Sequence, residues 1–142
     1  MRVVLDANVM VSGLISHKGP PGQILDKWLS GHFQLFVSPQ TLDELQRVLQ
    51  YPRISERLSK EQTTGLFKKI GETAEMVGGT IKLDVLTVDP SDNMYLACAM
   101  EAKADYLVTG NSNHFKEAGA KYRGVAIVSP RTFLDALKSG HQ

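Results

Sequence analysis

Apolar positions along this chain fall into two kinds of run that alternate from one end to the other. Short continuous runs of aliphatic and β-branched residues occur at Val3-Val4-Leu5, Phe33 to Val37, Tyr106-Leu107-Val108-Thr109 and Val125 to Val128. Runs of this kind mark strands buried on both faces, as in a parallel sheet covered by helices. Between them apolar residues recur at helical spacing. Val9 to Ile15 predicts a short helix, and Ile24, Leu25, Trp28 and Leu29 predict a second over Gln23 to Leu29, stopped by Gly31. Ser16 to Gly22 between them reads as a loop with His17 at the surface, while Met10 and Trp28 are core residues.

Leu42, Leu45 and Leu49 place a helix over Pro39 to Gln50, begun by Ser38-Pro39 and stopped before Pro52. Leu66, Phe67, Ile70, Ala74 and Val77 give the buried stripe of a helical region from Ile54 to Val77, with Ser59 and Gln62 as a capping box and Gly78-Gly79 as its end. Thr80 to Leu83 suits a short strand. Met94 to Ala104 is apolar nearly all round, so that helix is buried, and Ser129-Pro130 starts a last one over Arg131 to Lys138. The alternation predicts an α/β fold, an α/β/α sandwich with a mostly parallel central sheet.

With 142 residues the chain is long enough for one domain and short for two, so residues 1–142 are read as a single unit. The one cysteine, Cys98, cannot form an intramolecular disulfide, which favours a reducing compartment. The first strand is interrupted by Asp6 and Asn8 and suits neither a signal peptide nor a membrane span, so a cytoplasmic protein is expected. A net charge of +1 says little, but its distribution says more. From Arg47 to Lys69 six basic residues face two acidic ones, whereas Glu72 to Asp92 holds five acids against Lys82. A basic arm beside an acidic centre suits an enzyme acting on a polyanion, and equally suits two solvated surfaces of opposite sign.

Polar residues cluster where the buried runs stop. Asp6 follows the first strand and Asn111 follows the Tyr106 strand. On the Pro39 helix, Glu44 lies one turn before Val48 at the border of the apolar stripe, while Asp43 points to solvent. Asp89 and Pro90 read as the cap and first residue of the buried Met94 helix, with Asp92 at its third position, where the helix dipole favours an ionised carboxylate. Parallel strands joined by crossovers end on one side of a sheet, so Asp6, Glu44, Asp92 and Asn111 are expected at a common edge. Carboxylates brought together repel unless a cation joins them, and an all-oxygen set suits Mg2+ or Mn2+ and not zinc.

Val3-Val4-Leu5-Asp6-Ala7-Asn8-Val9, the Ser38-Pro39 helix with Glu44, Asp89-Pro90-Ser91-Asp92-Asn93 and Tyr106-Leu107-Val108-Thr109-Gly110-Asn111 follow one another as in a PIN domain. Over nearly its whole length the chain resembles the single-domain prokaryotic PIN proteins that act as toxins of toxin-antitoxin pairs. The resemblance implies a metal-dependent endoribonuclease that cleaves single-stranded RNA, with Asp6, Glu44 and Asp92 as catalytic ligands of Mg2+ or Mn2+ and Asn111 as a further ligand. Asn8, Ser12 and Asn113 would orient Asp6 or a metal-bound water. Arg47, Arg53, Arg57 and Lys60 would hold the RNA backbone. A cognate antitoxin and a homodimer are implied as partners.

Asn111 departs from the family pattern, which usually has aspartate there, and brings no charge to a second metal. That favours an alternative, a PIN domain that binds RNA or an antitoxin without cutting. A phosphatase with Asp6 as covalent nucleophile, as in haloacid dehalogenase-like enzymes, would need a second acid where Asn8 stands.

Overall fold

In a computed structural model, residues 1–85, 92–111, 115 and 119–139 are described. The buried apolar runs form the centre of a six-stranded sheet: β1 (Arg2–Leu5), β2 (Gln34–Val37), β3 (Glu75–Met76), β4 (Tyr106–Val108), β5 (Lys121–Tyr122) and β6 (Val125–Val128), in the order β3-β2-β1-β4-β6-β5. All neighbours pair in parallel except β5 with β6. Successive strand residues face opposite sides, and both Val3 and Val4 are buried, so helices cover both faces of β1.

The helices are α1 (Ala7–Ile15), α2 (Pro20–Leu29), α3 (Pro39–Gln50), α4 (Pro52–Ser55), α5 (Lys60–Thr73), α6 (Asn93–Glu101) and α7 (Pro130–Ser139). Helix α6 packs on β1, β2 and β4, and α7 packs on β4 and α2. Close approach of α1 to α2 depends on two glycines: a Cβ at Gly22 would lie 2.5 Å from the carbonyl oxygen of His17, and one at Gly13 would lie 2.7 Å from Leu25 Cδ1. Among the described residues no helix is long and apolar enough to cross a membrane.

Local chemistry explains the helix starts. Ser38 accepts from the Thr41 N–H while the Thr41 hydroxyl accepts from the Ser38 N–H, and Ser59 and Gln62 form the reciprocal pair that opens α5. Along α3 the predicted phase holds: Leu45, Val48 and Leu49 are buried, Asp43 is exposed and Glu44 is half-buried.

Several elements differ from the sequence reading. Helix α2 begins at Pro20 and not Gln23, because prolines are suited to a first turn whose N–H groups have no intrahelical partner. Helix α5 ends at Thr73, and the residues after it form β3, with the Val77 N–H donating to Val37 O at 2.8 Å; the strand expected at Thr80 to Leu83 is not formed. Asp92 precedes α6 as its cap residue and is not its third residue, while Asp89 and Pro90 lie outside the described residues. Strand β5, absent from the sequence reading, returns to β6 through Arg123 and Gly124, both at positive φ (47° and 90°), as a two-residue hairpin turn requires.

Candidate active site

The register carries the carboxyl ends of β1 and β4 to the same edge: Leu5 is level with Val108, and the Asp6 N–H donates to Val108 O at 3.0 Å. Asp6 is therefore set between the end of its own strand and the start of α1. It is only 3% exposed. One carboxylate oxygen, Oδ1, accepts from the Asn8 N–H at 2.9 Å and caps α1, and Oδ2 accepts from the Thr109 hydroxyl at 2.9 Å. Thr109 Oγ1 in turn accepts from the Asn111 N–H at 3.0 Å. A chain of hydrogen bonds thus ties Asp6 to the segment leaving β4. Thr109 is a site residue that the sequence reading passed over, and the signal available was a hydroxyl closing an otherwise apolar strand.

Tyr95 is the second such residue. It lies on the buried helix α6, and its hydroxyl oxygen accepts from the Ala7 N–H at 3.3 Å, satisfying a first-turn donor of α1. Burial raises its pKa first, then the charge of Asp6; the Ala7 N–H works the other way, and Glu44 and Asp92 each raise it further. Three carboxylates from three different parts of the chain therefore act on one phenol. That phenol stays protonated, and therefore neutral, across the physiological range.

Asp92 is buried at the start of α6. Glu44 is ion-paired with Arg47 one turn on, with Arg47 largely exposed. Among the described residues no three His, Cys, Asp or Glu side chains stand close enough together to hold a metal ion in this arrangement. The chemistry of the donor set nonetheless fits a hard divalent cation, since Asp6, Glu44 and Asp92 offer only carboxylate oxygens.

Beside the acids lies a cleft of about 410 Å³ between α1, α4 and the end of β4, lined by Asn8, Ser12, Arg53, Arg57 and Asn111 among its polar residues. Five residues singled out from sequence thus meet in one hollow. Arg47 and Lys60 are not part of its lining: Arg47 sits by Glu44, and Lys60 is exposed at the start of α5. Asn113, with its neighbours Ser112 and His114, lies outside the described residues.

The sequence model of the family described as "PIN domain" matches residues 2–113. The uncharacterized protein MJ1680 of Methanocaldococcus jannaschii is 27% identical over 114 residues, covering 80% of this chain and 72% of that protein. Among solved structures, VapBC2 from Rickettsia felis, bound to a DNA fragment from their promoter, aligns with a TM-score of 0.60 at 19% identity, covering 91% of this chain and 98% of that one. PAE2754 from Pyrobaculum aerophilum aligns with a TM-score of 0.57 at 17% identity, covering 99% and 91% respectively.

Proposed function

The chain belongs to the PIN domain family, and we propose that it is a Mg2+- or Mn2+-dependent endoribonuclease that cleaves single-stranded RNA, the toxin of a toxin-antitoxin pair. Family membership supports a nuclease, and the observation that carries the reading is the Asp6 carboxylate, buried at the carboxyl edge of the sheet with both oxygens held by the Asn8 N–H and the Thr109 hydroxyl. Asp6, Asp92 and Glu44 would hold the ion, with Glu44 exchanging Arg47 for it. A bound divalent cation supplies Lewis-acid polarisation of the phosphoryl oxygen and a water of lowered pKa.

The protein's own groups do the rest. Thr109 and the Asn8 N–H fix both oxygens of Asp6, so its orientation is set before any ligand arrives. Tyr95 holds the first turn of α1 beside Asp6. Arg53 and Arg57 draw the RNA backbone into the adjoining cleft, with Arg47 and Lys60 extending the basic surface. The likeness to VapBC2 supports an antitoxin partner for this chain, and the family reading adds a homodimer in the cytoplasm.

The test is incubation of purified protein with single-stranded RNA and Mn2+, alongside Asp92→Asn. Cleavage by the wild type that stops with a chelator, and falls by at least about 100-fold in the variant, is expected; losing an outer partner of a ligand already costs about 10- to 100-fold. Equal cleavage by both proteins would refute the assignment. Binding of RNA by both without cleavage would favour the non-cutting module that Asn111 suggests.

A further inference from the structure

We propose that Asn111, at the rim shared by the Asp6 site and the cleft between α1, α4 and the end of β4, contacts a phosphate of the bound strand and not metal. The inference rests on the nuclease reading and gives that site its substrate-holding half. Among the described residues no acidic one lines the cleft, and two arginines do. Among the described residues neither Arg53 nor Arg57 is ion-paired; the two ion pairs found there are Arg47 with Glu44 and Lys69 with Glu72. The side-chain amides of Asn8 and Asn111 and the Ser12 hydroxyl also make no hydrogen bond within the described residues, although Asn8 and Asn111 engage their backbone N–H groups. Two guanidiniums, two amides and a hydroxyl, all with donors to spare, form an environment for an anionic tetrahedral group.

Asn111 stands at the boundary of the two halves. Its backbone is tied through Thr109 Oγ1 to the Asp6 carboxylate, and the residue lines the arginine cleft. An amide is suited to that boundary because it donates to a phosphate oxygen, whereas a carboxylate would repel the phosphodiester. The absence of the acid is then a gain on the substrate side, whatever it forgoes in metal affinity.

Asn111→Asp separates the two roles, because they predict opposite results. With chelator present, fluorescence anisotropy of a labelled RNA decamer should show binding weakened roughly 5- to 10-fold, the scale of a lost hydrogen bond to a charged group. Calorimetric Mn2+ affinity should stay within about threefold of wild type, on the scale of a long-range charge effect. Asn111→Ala, whose folding is checked alongside by thermal melting, should weaken RNA binding without changing Mn2+ affinity. Arg53→Ala should lower the slope of log K against log salt by about 0.7, one phosphate contact on a single strand.

Mn2+ bound tenfold more tightly by Asn111→Asp, with RNA affinity unchanged, would overturn the inference while leaving the nuclease reading intact. RNA binding weakened by Asn111→Asp, beside a wild type that binds RNA but does not cleave it, would do the reverse. The same decamer as DNA should lose affinity equally; a loss confined to RNA would move the contact to the ribose hydroxyl and overturn the phosphate assignment. Displacement of RNA by a glutamate-rich peptide at equal concentration would instead assign the cleft to a protein partner.

Discussion

Asp6→Ala is expected to abolish RNA cleavage and to loosen the fold, whereas Asp6→Asn abolishes cleavage at a much smaller cost in stability. The carboxylate has two duties that these substitutions separate. As the cap of α1 it accepts from the Asn8 N–H, and losing such a cap costs about 0.5–2 kcal/mol. As the acceptor for the buried Thr109 hydroxyl it satisfies a group that would otherwise be stranded, at a further cost of about 1–3 kcal/mol. Asparagine keeps an oxygen for the cap, and its amide N–H₂ can donate to the second lone pair of Thr109 Oγ1, which keeps the contact with its direction reversed and leaves only the Thr109 O–H to find another acceptor. It lacks the charge that a divalent cation needs. Urea denaturation of the two variants beside a cleavage assay checks this. Equal destabilisation by alanine and asparagine would show that the charge and not the hydrogen bonds holds the edge, and residual cleavage by Asp6→Asn would remove Asp6 from the chemistry.

Phe133→Ala should have the largest effect on stability, about 3–5 kcal/mol, a substantial part of what a domain of this size possesses. Phe133 is fully buried on α7, and its ring meets the edges of Phe33 and Tyr106, each at 5.3 Å between centroids. Those partners lie at the amino ends of β2 and β4, away from Asp6 and Thr109 at the carboxyl ends. A lower urea midpoint with an unchanged slope is therefore expected, and the folded fraction should cleave RNA at the wild-type rate. A midpoint shift worth less than about 1 kcal/mol would mean that α7 contributes little to the core.

What was legible in the sequence was what local pattern determines. The strands β1, β2, β4 and β6 are continuous apolar runs that no solvent-facing element could carry, and Ser38-Pro39 and Ser59 announce their helices by chemistry confined to one turn. The phase of α3 placed Glu44 at the border of the buried stripe from its spacing to Leu45 and Val48 alone. Elements that depend on distant partners were not legible. Strand β3 is two residues held by β2, and nothing in Glu75-Met76 distinguishes it from the end of a helix. Tyr95 reads as one more apolar residue of α6, because the N–H that occupies its hydroxyl comes from a residue 88 positions earlier. Thr109 likewise gains its meaning from Asp6, 103 positions away. The separation of Arg53 and Arg57 from Arg47 and Lys60 follows from the short helix α4 turning back towards α1, which charge counting cannot show.

Anomalous scattering from Mn2+ soaked into crystals tests the shared-cation proposal most directly. A single strong peak in contact with Asp6, Glu44 and Asp92, with Glu44 turned away from Arg47, is the predicted result. A peak held elsewhere, or none at these three carboxylates at millimolar Mn2+, would contradict it.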